Sequence, residues 1–246
     1  PLLPFVISIN SGELLMKLLM LLLLGGVFIA PKTNAGEENL YDFLWLDPDK
    51  AVYVLQNKVH KKEKTIYMDV GYLTNLTSNF TDTRGVAVKV GYYFHEEWAV
   101  EAMYLGYNST KNENYRNVTL LNGGVPFVRR PTSTLGAGIV WSPFYGKINT
   151  FNSIVHFDWS FGAGVAQVNT ASNLQSARNG NAQDTYQSES NTGGYLKSAV
   201  KFHLNQNWHV GVEWIGTYYQ APGPKNPKQD KIRSNNDMII QLGWSY

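Results

Sequence analysis

From residue 65 to Tyr246 the chain alternates apolar residues with polar or small ones in run after run, with no sustained helical period. The C-terminal run is the clearest. Met238, Ile240, Leu242, Trp244 and Tyr246 fall on one face, and Asp237, Gln241, Gly243 and Ser245 on the other. Successive side chains of an extended backbone point to opposite sides, so a period of two marks a strand with two unlike faces. Val86, Val88, Val90, Tyr92 and Phe94 repeat the pattern against Lys89 and Gly91. So do Trp98, Val100, Ala102 and Tyr104 against Glu101, and Leu196, Val200, Phe202 and Leu204 against Lys197, Lys201 and His203. Trp208, Val210, Val212 and Trp214 oppose His209, Gly211 and Glu213. With weaker runs at 65–73, 133–142 and 153–168, the pattern predicts eight strands.

The connections constrain the fold further. His95-Glu96-Glu97 and Asn205-Gln206-Asn207 are short, and Pro143 to Phe151 reads as a compact turn around Tyr145-Gly146-Lys147. The stretches 74–84, 108–131, 169–193 and 221–236 are longer and rich in Asn, Ser, Thr, Gly and Pro. Short and long connections alternate strictly. Membrane barrels of the outer-membrane type have short periplasmic turns and long outer loops, whereas a soluble sandwich has no reason to sort its loops by parity. The expected fold class is therefore all-β, an eight-stranded antiparallel transmembrane β-barrel with an N-terminal periplasmic extension. A soluble barrel of lipocalin type would need a polar outer face, but here the bulky apolar face is the larger one. Tyr92, Phe94, Trp98, Trp208, Trp244 and Tyr246 sit at the short-turn strand ends, and Tyr72, Tyr104 and Tyr218 nearer the long loops. Together with Trp214 they read as lipid-facing side chains with aromatic girdles at two interfaces.

Composition removes other classes. Charged residues make up 16% of the chain and aromatics 13%, at a mean hydropathy of −0.26. This is too polar for a helical membrane protein and too aromatic for a disordered chain. The absence of cysteine excludes disulfide scaffolds and thiol chemistry, and a formal charge of +2 is too small for nucleic-acid binding. The apolar run Leu18–Ala30 is shorter than the ~18 residues of a spanning helix. Flanked by Met16-Lys17 and Thr33-Asn34-Ala35, it reads as a cleaved export signal, with residues 1–15 as upstream sequence. The expected organisation is 1–35 upstream residues and signal, 36–64 periplasmic segment, and 65–246 barrel. Insertion would proceed through the barrel-assembly machinery by way of the C-terminal strand.

Eight strands leave an interior just wide enough for side chains. The inward face carries Asp69, Lys89, Glu101, His156, Asp158, Lys197, Lys201, His209, Glu213 and Gln241, with four acids against three lysines. Unpaired buried charge is costly, so these groups are expected to pair into a plug that closes the lumen. A gated solute path is the sharper alternative. His60, His95, His156, His203 and His209 all fall in the short-turn half or before it, away from loops that would meet an external substrate. No catalytic set, cofactor or metal site is expected. Gly136-Ala137-Gly138 and Gly162-Ala163-Gly164 make room inside the barrel, and Arg129-Arg130 could meet lipopolysaccharide phosphates.

Residues 36–64 do not read as strand. Tyr41, Phe43, Leu44, Trp45 and Leu46 crowd together before Asp47-Pro48, and His60 to Lys64 form a charged run expected at the membrane edge. Such an aromatic segment marks a contact site: it can fold up under the barrel, lie along the inner leaflet or dock onto a neighbouring subunit, and the last two are favoured jointly. Leu40-Tyr41-Asp42-Phe43-Leu44-Trp45-Leu46-Asp47-Pro48-Asp49-Lys50 and Trp141-Ser142-Pro143-Phe144-Tyr145-Gly146-Lys147-Ile148-Asn149 resemble an outer-membrane β-barrel family of myxobacteria and Bdellovibrio-like predatory bacteria. The resemblance implies a homo-oligomeric ring, a pentamer, that encloses outer-membrane lipid beside lipopolysaccharide. It supplies no catalytic residues. Small-solute transport and loop-mediated adhesion are the alternative functions.

Overall fold

The structure, a computed structural model, describes residues 59–150, 153–179, 185–223 and 230–246. Eight strands follow one another: β1 (Ile66–Asn75), β2 (Thr81–Tyr93), β3 (Trp98–Lys111), β4 (Arg129–Thr150), β5 (Ser153–Ser172), β6 (Gln187–His203), β7 (Trp208–Pro222) and β8 (Asp230–Ser245). Each pairs antiparallel with its sequence neighbours, and β8 returns to β1 to close the barrel. The seam runs from Tyr67↔Ser245 to Asn75↔Asp237. It is finished by reciprocal backbone bonds between Ile66 and Tyr246 at 2.9 and 2.8 Å. Closure pairs every strand on both sides around the ring, which satisfies the backbone internally wherever water is absent.

The two faces separate as the period of two requires. On β2, Ala87, Lys89 and Gly91 are buried inside while Val86, Val88 and Val90 face out. Around the ring, Val70, Leu135, Val165 and Ile240 are each more than half exposed. A continuous exterior of this kind has no counterpart on soluble monomers. Among the described residues no helix is long and apolar enough to cross a membrane, so the strands are the crossing elements.

Two features differ from the expectation. Residues 143–150 do not form the compact turn expected of 143–151. β4 continues to Thr150 and pairs with β5 as far as Thr150↔Ser153, setting Tyr145 opposite Asp158 and Lys147 opposite His156. The register shifts between Trp141 and Phe144. Pro143, which has no N–H for a ladder, falls in that irregularity, where none is needed. Because β3 pairs with β4 only as far as Trp141, the hairpin runs on past the end of its neighbour.

The second difference is helical. The loop after β3 holds α1 (Glu113–Asn122), and α2 (Leu174–Asn179) follows β5. Asn112 caps α1 by accepting from the Tyr115 amide, and Gly123 ends it at φ +64°, a backbone conformation open to glycine.

Inside, the barrel is layered rather than uniformly polar. Towards the long loops, Leu73, Met103, Leu105, Val168, Ile215 and Ile239 form an apolar cluster with Tyr195 and Tyr219. Towards the short turns, Tyr67 packs across Gly91, where an added Cβ would lie 2.2 Å from the ring. Gly91→Ala is therefore expected to cost about 1–3 kcal/mol through overpacking. Urea unfolding of the variant in lipid vesicles checks this, and an unchanged midpoint would show that the ring can move aside.

Candidate functional site

The side chains with the most concentrated chemistry lie in the short-turn half of the lumen. Lys89, Glu101, Lys197, Lys201, Glu213 and Asp69 project from β2, β3, β6, β7 and β1, and all are buried. Lys89 Nζ lies 2.7 Å from Glu213 Oε1, and Lys197 Nζ lies 3.3 Å from the other Glu213 oxygen and 2.5 Å from Glu101 Oε1. The Tyr67 hydroxyl donates to Glu101 Oε2 at 2.7 Å, and Lys89 also donates to Gln241 Oε1. Lys201 Nζ reaches Asp69 Oδ2 at 2.8 Å and stands 4.1 Å from the centre of the Tyr67 ring. His209 Nε2 contacts Asp69 Oδ1 at 2.6 Å. Three carboxylates face three ammonium groups, so the layer is neutral, and each charge has a close partner of opposite sign.

The short-turn mouth is closed by the chain itself. Residues 59–65 fold beneath the barrel. The Lys64 amide donates to Tyr93 O at 2.8 Å, and the Lys62 and Glu63 amides donate to Glu96 Oε2 at 3.0 and 3.1 Å. Lys62 Nζ extends to Asp158 Oδ1 at 2.9 Å, and His203 Nε2 lies 2.7 Å from the other Asp158 oxygen. The His60 ring stacks on His203 at 4.4 Å and meets the His156 ring edge-on at 5.3 Å. The rings pack on one another instead of converging, and among the described residues no group of His, Asp and Glu is arranged to hold a metal ion. Burial, and then the neighbouring His203 and His156, push the His60 imidazole below its ordinary value of 6.5.

The long-loop end has its own polar layer. Asp237 accepts from Asn75 Nδ2 at 2.7 Å, from the Tyr107 hydroxyl at 2.7 Å and from Asn235 Nδ2 at 2.9 Å. Further out, Arg129 pairs with Glu189 at 2.8 Å, while Arg130 lies over the Tyr186 ring. The two adjacent arginines thus diverge, one into the lumen and one onto an aromatic ring.

Asp69, Lys89, Glu101, Lys197, Lys201 and Glu213 meet in one network. His156 does not join it. His156 lies at the barrel end, level with His203, the last residue of β6, and there it faces His60 and the Tyr145 ring, 5.8 Å away. Asp158, opposite Lys201 on β6, serves Lys62 and His203 instead. Lys62, expected in a run at the membrane edge, is 6% exposed inside the mouth. Tyr67 was missed as a network member, although an aromatic at an inward position opposite a glycine is a readable sign. Lys62 offers no such sign, because it lies before the alternation begins.

On the outside, Tyr92, Phe94, Trp98, Tyr104, Trp208, Trp244 and Tyr246 are exposed, and Trp214 is half-buried with its indole lying across Gly216. Trp98 stacks on Trp141 at 5.9 Å, and Trp141, Phe161, Trp159 and Phe144 continue the aromatic band across β4 and β5. Tyr41, Phe43, Leu44, Trp45 and Leu46 lie outside the described residues.

A closed eight-stranded barrel with an apolar exterior, an aromatic band and a charged interior is a membrane-spanning barrel. Residues 52–246 match the family model described as the outer membrane protein beta-barrel domain, and the chain belongs to that family. Its place is the bacterial outer membrane, where barrels of this kind set their short turns toward the periplasm and their long loops outside. Solved structures with a similar fold include the N-terminal barrel domain of OprF from Pseudomonas aeruginosa, with TM-score 0.45 and 10% identity over 75% of this chain and 98% of that one. OprG from the same organism gives 0.42 and 12% over 76% and 98%. The attachment invasion locus protein Ail of Yersinia pestis gives 0.39 and 15% over 75% and 99%. No curated protein matches the sequence.

Two outcomes follow from the geometry. Glu213→Ala strips Lys89 and Lys197 of a shared partner and is expected to cost about 3–5 kcal/mol, whereas Lys89→Met with Glu213→Leu recovers most of that loss. Unfolding of both variants in vesicles compares them, and a double variant as unstable as the single one would refute the pairing account. The second outcome concerns pH. A histidine whose folded value is depressed gives up its share of stability as pH falls below 6.5 and on through the lowered value. The hydrogen-exchange protection of the Lys62 and Glu63 amides, corrected for the slower intrinsic exchange at lower pH, should fall over that range, and His60→Gln should flatten the response.

Proposed function

We propose that this protein is a non-conducting outer-membrane barrel that works through its outer surfaces. It assembles as a homo-oligomeric ring that encloses and organises lipid. The observation that carries the reading is the filled interior. A neutral layer of interlocked charges, an apolar layer above it and the Lys62–Asp158 closure below leave the lumen nothing obvious to transmit. An eight-stranded barrel has no wide lumen to begin with. The aromatic band over β3, β4 and β5 supplies a face on which rings of a neighbouring copy or ordered acyl chains can pack. The pre-barrel residues Tyr41, Phe43, Leu44, Trp45 and Leu46 belong to the same reading as a subunit or membrane contact. Their likeness to the myxobacterial and Bdellovibrio family, which includes the barrel protein PopA, supports it. In this reading the chain is exported by a cleaved signal ending at Ala35 and is not an enzyme.

A second reading, contact with an external surface through the long loops, has one observation in its favour. Leu120 and Leu121, at the end of α1, are 81% and 84% exposed on the outside of the barrel.

Native mass spectrometry of the detergent-extracted particle, followed by planar-bilayer recording, tests the proposal. The expected result is a multimer that retains lipid and passes no current. A conducting particle would turn the function toward transport, and a silent, lipid-free monomer would turn it toward the loops.

A further inference from the structure

The outer mouth of the lumen holds a cavity that the closed interior does not account for. Its volume is about 270 Å³, and its wall includes Thr77, Asn79, Arg129, Tyr219, Arg233 and Asn235. Arg233 sits opposite Tyr219 in the β7–β8 register, on the inward parity of both strands. Among the described residues no aspartate or glutamate lines the cavity. Two guanidinium groups therefore share a recess with no acid in its wall.

Neither arginine is fully satisfied. Arg129, whose side chain is 6% exposed, donates one Nη to Glu189 at 2.8 Å and the other to Pro222 O at 2.9 Å. Its Nε is buried without a hydrogen-bond partner, and so is Nε of Arg233. Among the described residues Arg233 makes no ion pair and no side-chain hydrogen bond. Buried donors left unmet are costly, and a guanidinium is the donor best shaped to grip an oxyanion with two parallel bonds. A third donor stands close by. The Thr77 hydroxyl accepts from the Asn236 amide at 2.8 Å and from Asn236 Nδ2 at 3.2 Å, which leaves its own hydrogen to give away. Donors of this number and kind suit a group with several oxygens around one centre.

We propose that this outer vestibule is a binding site for a phosphate group, with Arg233 and Arg129 as the principal donors and Thr77 in support. The phosphate is carried either by a small soluble ester arriving from outside or by a lipopolysaccharide headgroup bending over the rim. The two sources share the chemistry, and the inward parity of both arginines requires entry through the mouth, not through the lipid-facing wall. The assignment is independent of oligomeric state and of the lipid-organising role.

The test is calorimetric titration of the full chain in an uncharged detergent with inorganic phosphate, with glucose 1-phosphate and with diphosphoryl lipid A. Arg233→Gln, Arg233→Lys and wild type are compared after each is shown to keep the heat-modifiable gel mobility of a folded barrel. Saturable binding of at least one probe is expected, weakened about tenfold or more in Arg233→Gln and less in Arg233→Lys, which keeps the charge but not the fork. Binding of the two soluble probes identifies a free phosphate as the source. Binding of lipid A alone, still lost in Arg233→Gln, identifies the headgroup. No saturable heat with any probe, or binding indifferent to Arg233→Gln, would overturn the assignment.

Discussion

Charge neutrality in a confined space is the condition on which this barrel depends. Closing eight strands forces six ionised side chains into an interior with no room for bulk water to solvate them. Each must find a counter-charge within about one hydrogen-bond length, or the closed state pays for an isolated ion. Glu213 meets that demand twice over, between Lys89 and Lys197, and Asp69 pairs with Lys201 while hydrogen-bonding His209 as well. The acids and lysines come from different strands, so the network ties opposite walls of the barrel together. The apolar cluster above it makes the same cross-barrel connection by packing. Gly91 and Gly243 belong to the same arrangement. Without their missing side chains, Tyr67 could not cross to Glu101, nor could His209 reach Asp69.

The barrel was legible in the amino-acid order because its strongest signal is geometrical. A period of two and alternating connection lengths survive whatever the individual side chains are, and both carry straight into strand count, parity and topology. The ionic layer was legible for the same reason, since Lys89, Glu101, Lys197 and Glu213 are inward by parity alone. What the pattern did not reveal lies where parity stops or is silent. The β5–β6 register sets His156 and Asp158 level with His203 and Lys201, at the mouth, a height along the axis that parity alone does not give. Lys62 precedes the first strand and finds its partner through a fold in the chain, which no periodicity encodes. The helix α1 was hidden among Asn and Thr, although its cap Asn112 and its terminating Gly123 stand in the sequence.

The exterior and interior solve different solvent problems with the same strands. Outside, Val, Ile, Leu and a band of aromatic rings meet lipid, which asks nothing of them in hydrogen bonding. Inside, polarity is graded along the axis. Histidines and a carboxylate lie at the periplasmic mouth, ion pairs above them, then an apolar layer, then amides and a carboxylate, and finally arginines facing the outside. Such grading separates the two mouths chemically. A ligand or proton arriving at one end meets groups unlike those at the other, with an apolar layer between.

The fold of residues 59–65 beneath the barrel also bears on the order of assembly. Lys62, Glu63 and Lys64 bind to the β2–β3 hairpin and its turn, while Lys62 and His60 reach side chains of β5 and β6. Those docking surfaces come from parts of the chain that are neighbours only once the sheet has curled shut. The segment leaves a translocating chain before any of them exists, yet it can settle only after all of them are in place. Its full set of contacts therefore exists only on a completed ring, and a barrel with β1 and β8 apart would leave it without its partners on β5 and β6.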